Sequence, residues 1–164
     1  MSESEFKLEG FYCFKNHSTD TIRQFLLYPF PQSQGLGEIL SISVNAQYPR
    51  YDTMILANFN QKAASFKLMI YPNDSAIIHV IYIQSVPNCK AEYVLTSTKA
   101  WNQPLEQADF TLTIPFNSRV DSLSYDADSL LLSVESAVYK WHFREFMPNR
   151  NFFVSFSKIE KSKK

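Results

Sequence analysis

Short segments in which apolar and polar residues alternate recur along almost the whole chain. The first of them, at residues 5–15, reads E-F-K-L-E-G-F-Y-C-F-K. A period of two is the spacing at which the side chains of a β-strand return to the same face, so each segment predicts a strand. Roughly ten to twelve such segments follow one another at intervals of about 8–14 residues, as in antiparallel sandwiches. We therefore predict an all-β protein, folded as an antiparallel β-sandwich or a saddle-like pair of sheets.

Turn residues predict how these strands are connected. The Pro-Asn-Asp sequence at 72–74 separates strands predicted at 63–71 and 75–85, and it predicts a hairpin between them. The second of these strands is apolar on both faces, which is typical of a central strand. Another hairpin tip is predicted at 126–128. At most one short helical turn is expected, near 104–108.

Length and charge limit the class of protein. One domain spanning residues 1–164 is expected, because a chain of this length buries about two-thirds of its surface on folding. Sixteen basic and sixteen acidic residues cancel, so no net field attracts nucleic acid, and no nucleic-acid partner is predicted. The tail at 158–164 is basic, and we interpret it as a solvated end. No run of eighteen apolar residues is present, so no membrane span is predicted.

The amino terminus and the cysteines leave the cellular compartment open. The chain begins without the positive start and apolar run of a signal peptide. A cytosolic protein shows this, and so does an exported protein whose signal has been removed. Cys13 and Cys89 lie in or beside predicted strands. They could form a disulfide after export, or they could be two buried reduced thiols.

The sequence contains none of the motifs that carry catalysis. Its three histidines are His17, His79 and His142. None of them has a second His or Cys at metal-ligand spacing, and three glycines are too few for a glycine-rich phosphate loop. Asp126 and Asp128 form a close acidic pair, with Asp121 nearby, but aspartate is expected in turns for backbone reasons. We therefore predict no cofactor, no metal and no catalytic residue.

Aromatic content is the compositional outlier, with fourteen Phe and nine Tyr. Most of these rings are expected in the core of a sheet protein. Tyrosines and tryptophans in or beside loops are the exception, since an exposed ring offers a stacking surface to a sugar or a peptide. The candidate ligand-binding residues on this criterion are Tyr48, Tyr51, Trp101 and Tyr125. Packing over the end of the sandwich is the alternative role for each of them.

Part of the chain resembles known β domains. Residues 14–22 and 26–29 resemble the amino-terminal β domain of gluzincin aminopeptidases, where a strand ends in an Asn-x-Ser turn and the next is closed by Tyr-Pro. Residues 95–108, 110–115 and parts of 141–156 resemble exported bacterial β domains. The resemblance implies a β-sandwich, a bacterial source, and export to the periplasm or cell surface, with a cytoplasmic location still open. It implies no peptidase activity, because the H-E-x-x-H helix of that family is absent from the sequence.

Together these features predict a non-catalytic binding or scaffold module of an exported bacterial protein, with a protein or a carbohydrate as its partner. Two alternatives from other classes stay open. A carbohydrate-active enzyme would need a pair of carboxylates facing each other across a cleft. An assembly subunit would present an edge strand whose unpaired N–H and C=O groups recruit another chain.

Overall fold

The computed structural model describes residues 5–159, with the backbone alone for Trp101. Within this range the chain forms thirteen strands and one short 3₁₀ helix at Thr96–Trp101. The strands are β1 (Glu5–Lys15), β2 (Ile22–Pro29), β3 (Ile39–Tyr48), β4 (Tyr51–Ile55), β5 (Asn58–Phe59), β6 (Ala63–Ile70), β7 (Ser75–Ser85), β8 (Lys90–Tyr93), β9 (Leu105–Pro115), β10 (Ser118–Leu123), β11 (Ser129–Leu132), β12 (Ser136–Phe146) and β13 (Phe152–Lys158). All of their pairings are antiparallel, which confirms the predicted all-β class.

The chain divides into two compact units, the first ending at Pro87 and the second beginning at Asn88. We call them unit 1 and unit 2. Each unit contains two of the four sheets. The sequence carries no composition shift at this boundary, and the single domain over 1–164 stays a prediction.

Unit 1 is built from two sheets whose strand orders are β1-β7-β3-β4 and β2-β6-β5. Every second side chain of β6 and of β7 is buried, and the two rows meet in one core cluster that includes Phe66, Leu68, Ile78 and Val80. Packing two sheets face to face in this way buries the apolar face of each. β7 lies between β1 and β3, so the prediction of a central strand is confirmed.

The hairpin predicted between residues 63–71 and 75–85 is wrong. β6 and β7 belong to different sheets, so the turn at 72–74 carries the chain across the core from one sheet to the other. The hairpin tip predicted at 126–128 is wrong for the same reason, because β10 and β11 also lie in different sheets. Turn residues report that the chain reverses, and a reversal between sheets uses the same residues as a reversal within one.

Unit 2 is also built from two sheets, with strand orders β10-β13-β8 and β11-β12-β9. Trp141 on β12 is its largest buried side chain and meets Phe152 on β13 edge to face, with ring centroids 4.7 Å apart. Leu112 and Ile114 on β9 are also buried. The contact between Trp141 and Phe152 joins the two sheets of the unit, because β12 and β13 belong to different sheets.

The helical turn expected near 104–108 is not formed there. Leu105 begins β9 and pairs with Phe146 of β12. The 3₁₀ helix lies a few residues earlier, where Asn151 Oδ1 accepts hydrogen bonds from the backbone N–H groups of Leu95 and Thr96, at 3.2 Å each. This anchor comes from a residue more than fifty positions away, so a local pattern could not place the helix.

Both cysteines are free thiols, one in each unit. Cys13 is exposed on β1, and Cys89 is half-buried with a positive φ of 52°. Of the basic tail at 158–164, only Lys158 at the end of β13 and Ile159 lie within the described residues. No helix in the described part of the chain is long and apolar enough to cross a membrane.

Candidate ligand-binding cleft

A cleft of about 410 Å³ lies at one end of unit 1, between two turns of the chain. One turn joins β3 to β4 and the other joins β6 to β7. We call this site the tyrosine cleft. Its lining residues are Tyr48, Pro49, Arg50, Tyr51, Tyr71, Pro72, Asn73 and Asp74. The volume falls within the usual range for small-molecule sites.

Two tyrosines of the β3–β4 hairpin form one wall of the cleft. Tyr48 and Tyr51 are directly paired across the strands, and their rings stack with centroids 4.8 Å apart. Tyr51 and Tyr71 each keep nearly half of their surface exposed. Burial raises the pKa of the Tyr48 hydroxyl above its ordinary value, and the nearby Tyr51 raises it further. A hydrogen bond with the Met69 backbone opposes this rise and already engages the Tyr48 hydroxyl.

The buried amide of Asn16 holds the turn that carries Tyr71. Asn16 follows β1 and is 2% exposed. Its Nδ2 donates hydrogen bonds to the carbonyl oxygens of Ile70, Tyr71 and Asp20, at 3.1, 3.0 and 2.8 Å. Its Oδ1 accepts a hydrogen bond from the Ser18 backbone N–H at 2.9 Å. One side chain therefore ties the turn after β1 to the turn after β6.

Backbone hydrogen bonds also hold the β6–β7 turn. The Asp74 N–H donates to the Tyr71 carbonyl at 3.2 Å, and the Asp74 carbonyl accepts from the Asn16 N–H at 2.9 Å. Asn73 has a φ of 53°, the left-handed conformation that asparagine tolerates better than most residues. The cleft is thus bounded by a turn whose conformation is set before any ligand arrives.

A second depression of about 400 Å³ adjoins the tyrosine cleft and shares Pro49, Asn73 and Asp74 with it. Lys15 and His17 supply basic groups to its lining. With Arg50 in the cleft itself, this end of unit 1 presents basic and aromatic groups beside one carboxylate, that of Asp74. The two linings contain no second acid, so neither depression shows the facing carboxylates that glycoside hydrolysis requires.

Of the four predicted ligand-binding residues, the structure brings Tyr48 and Tyr51 together. Tyr125 and Trp101 belong to unit 2. The backbone of Trp101 ends the 3₁₀ helix, and its side chain lies outside the described part of the structure. Tyr71 lines the cleft and was not predicted. The Tyr-Pro pair at 71–72 repeats the one at 48–49, but a third pair at 28–29 ends β2 and does not line the cleft, so this pattern alone would not have found Tyr71.

Tyr125 is part of an aromatic cluster in unit 2. Its ring stacks on Phe152 and meets Phe143 and Phe146 edge to face, at centroid distances of 5.8–6.1 Å. The Arg150 guanidinium lies 4.7 Å from the ring centroid, and the Tyr125 hydroxyl donates to the Arg150 carbonyl at 2.8 Å. These contacts use the ring for packing, the role that sequence reasoning gave as the alternative to ligand binding.

The aspartates considered as a catalytic or calcium-binding cluster have separate roles. Asp128 Oδ2 accepts a hydrogen bond from the His142 backbone N–H at 2.6 Å. Asp121 accepts one from the Ser157 hydroxyl at 3.0 Å and pairs with Arg119. Within residues 5–159, no group of three metal-ligating side chains comes together.

Asp109 and His142 form an exposed pair across β9 and β12. His142 Nδ1 lies 2.5 Å from Asp109 Oδ1, and Gln107 donates to the other carboxylate oxygen at 2.6 Å. The hydrogen bond with His142 holds the pKa of the Asp109 carboxyl below its ordinary value, and the hydrogen bond from Gln107 lowers it further.

We expect this pair to contribute stability that depends on pH in the acid range. A carboxyl with a lowered pKa stabilises the fold above its unfolded-state pKa of about 3.9, and that contribution is lost as the pH falls through the folded-state pKa. Carboxyl-carbon NMR titration should place the Asp109 midpoint below about 3.9. Replacing His142 with alanine should raise the midpoint, and replacing Gln107 with alanine should raise it less. A midpoint that does not move in the His142→Ala variant would contradict this account.

Comparisons with known proteins address the fold. The chain matches no family model and no curated protein. Among solved structures it resembles a candidate nutrient binding protein from Legionella pneumophila subsp. pneumophila strain Philadelphia 1, with a TM-score of 0.70 and 14% sequence identity. The match covers 93% of this chain and 60% of the other, so this chain spans less than two thirds of that protein's length. At this identity the comparison shows a shared fold.

Proposed function

We propose that this protein is a non-catalytic binding module and that the tyrosine cleft of unit 1 holds its ligand. The observation that carries the proposal is the convergence of Tyr48, Tyr51 and Tyr71 on a small-molecule-sized cleft between two turns. A few polar groups among aromatic rings are the usual composition of a ligand site. The binding activity ascribed to the Legionella protein of similar fold supports the same class of function.

The ligand class that fits the lining best is a carbohydrate. A sugar presents one apolar C–H face and a rim of hydroxyl groups. The half-exposed ring of Tyr51 offers a stacking surface to the first, while Arg50 and Asp74 offer hydrogen-bonding groups to the second. The single carboxylate in the lining supports binding without hydrolysis. Export and a bacterial source belong to the same proposal, and they are supported by the resemblance to exported bacterial β domains.

Replacing Tyr51 with alanine should weaken sugar binding about tenfold. The loss of one stacking face removes roughly 1.4 kcal/mol of binding free energy, and Tyr51 lies at a turn where its removal leaves the core intact. We would titrate the protein with glucose, galactose, N-acetylglucosamine and their disaccharides and follow backbone amide shifts by NMR. The largest shifts are expected at residues 48–51 and 71–74.

A matched control is the Phe116→Ala variant, which removes an exposed ring from a turn of unit 2. It should bind each sugar as the unmodified protein does. If no sugar shifts the amides of the cleft at millimolar concentration, the carbohydrate assignment is wrong. If a sugar binds and Tyr51→Ala has no effect, the site lies elsewhere.

A further inference from the structure

The β11 strand is an apolar edge of unit 2. β11 pairs with β12 on one side, and no other strand among residues 5–159 pairs with its second side. Leu130, Leu131 and Leu132 are 47%, 56% and 77% exposed. Edge strands of monomers are commonly protected by charges, prolines or bulges, and β11 contains none of these.

The backbone of this edge is oriented for pairing. Just after β11, the Ser133 N–H donates to the Ser136 carbonyl at 2.9 Å. The backbone groups directed toward β12 are therefore those of Ser133 and of every second residue before it. In an antiparallel ladder the direction of the backbone groups alternates along the strand. Leu130 and Leu132 therefore direct their N–H and C=O groups away from β12, toward the unpaired side.

The sequence of the edge matches itself when reversed. Residues 129–133 read Ser-Leu-Leu-Leu-Ser, a palindrome centred on Leu131. In an antiparallel pairing of two copies about Leu131, each Leu130 lies opposite the Leu132 of the other copy. The outward backbone groups of Leu130 and Leu132 then meet in the hydrogen-bonded positions, and leucines lie only against leucines. No charged residue lies between Asp128 and Glu135, so no two charges face each other within the paired segment 129–133.

We propose that β11 pairs with β11 of a second copy of this chain, joining two three-stranded sheets into one sheet of six strands about a twofold axis at Leu131. Leu130 and Leu132 share a face of the sheet with Tyr139 and Trp141, as the register shows, so the pairing extends the apolar face of the unit across the axis. The contact is isologous, which closes the assembly at a dimer. Complete burial of the three leucines on both copies would remove on the order of 700 Å² in total, below the roughly 1,000 Å² of a stable specific interface, so the dimer is weak and reversible.

Sedimentation velocity on the full chain, from about 1 to about 300 µM, tests the oligomeric state. The unmodified protein should shift from monomer to dimer across this range. Leu131→Lys places two ammonium groups against each other at the axis and should weaken the dimer at least tenfold. The control is Leu27→Lys, which changes a leucine that is 70% exposed on β2 of unit 1 and should leave the dimer unchanged.

Cross-linking tests the register. In a chain with Cys13 and Cys89 replaced by serine, Leu131→Cys brings two thiols into the non-hydrogen-bonded pair at the axis. The Cα separation there, about 4.5 Å, allows a disulfide. Leu130→Cys leaves its two thiols two residues out of register, with Cα atoms more than about 7 Å apart, and should cross-link far less. Circular dichroism checks that each variant is folded.

Three results would overturn the proposal. If the protein is a monomer at every concentration, β11 does not pair with a second copy, and a strand of another protein becomes the candidate partner. A dimer that Leu131→Lys does not weaken would lie elsewhere on the molecule. Equal cross-linking of Leu130→Cys and Leu131→Cys would exclude the twofold axis at Leu131.

Discussion

Replacing Trp141 with alanine is expected to destabilise unit 2 by about 3–5 kcal/mol, the largest effect that we expect from any single substitution in this unit. Trp141 is 2% exposed and lies edge to face with Phe152 of the opposing sheet. Its Nε1 donates a hydrogen bond to the Tyr125 carbonyl at 3.2 Å. The substitution removes the ring that joins the two sheets and leaves a cavity between them.

Urea denaturation followed by circular dichroism measures this loss. The matched control is Phe116→Ala, which changes an exposed aromatic side chain of unit 2 outside the β11 edge and should cost less than about 0.5 kcal/mol. A loss below about 1 kcal/mol for Trp141→Ala would mean that this ring is not the centre of the core.

Replacing Asn16 with alanine is expected to destabilise unit 1 by about 2–3 kcal/mol. The substitution leaves the Ile70 and Tyr71 carbonyl groups without the amide donor that now satisfies them. The turn that carries Tyr71 loses its link to the end of β1, so sugar binding at the tyrosine cleft should weaken together with the stability.

Asn16→Asp distinguishes the hydrogen bonds that the Asn16 side chain donates from those that it accepts. Aspartate keeps an oxygen that can accept the Ser18 N–H and loses the amide that donates to the three carbonyl groups. If the donated bonds carry the effect, Asn16→Asp should be at least as damaging as Asn16→Ala, as measured by urea denaturation. Full stability in Asn16→Asp would contradict the explanation. His17→Ala, at the exposed neighbouring position, serves as the control and should have little effect.

Local sequence patterns predicted individual strands well. The segment predicted at 5–15 is β1 (Glu5–Lys15), because its alternation is regular and the polar turn after it is unambiguous. The central position of β7 was also predicted, from its two apolar faces, and β1 and β3 flank it in the sheet. Both inferences depend on a few adjacent residues, which is the range over which period and turn chemistry carry information.

The pairing of the strands and most of the cleft could not be predicted in this way. The turn at 72–74 crosses between sheets, and nothing within it distinguishes that path from a hairpin. As a result, Tyr71 was interpreted as the end of a strand, although it lies beside the Tyr48–Tyr51 pair. No local pattern marks Asn16 as a buried residue, because its partners Ile70 and Tyr71 are more than fifty residues away.

The crossing turns also determine when unit 1 can be completed as the chain leaves the ribosome. β1 is made before the other described strands, and within the described chain it pairs only with β7. It must therefore remain without a strand partner until β7 begins to emerge at Ser75, while β3 and β4 can already form their hairpin. Pairing β1 with β7 closes a long loop, and the entropy of that loop is lost before the contacts between the two strands form. The unit is therefore expected to fold late and slowly during synthesis. The amino-terminal strand, with its exposed Phe11, is the segment that most needs protection during that interval.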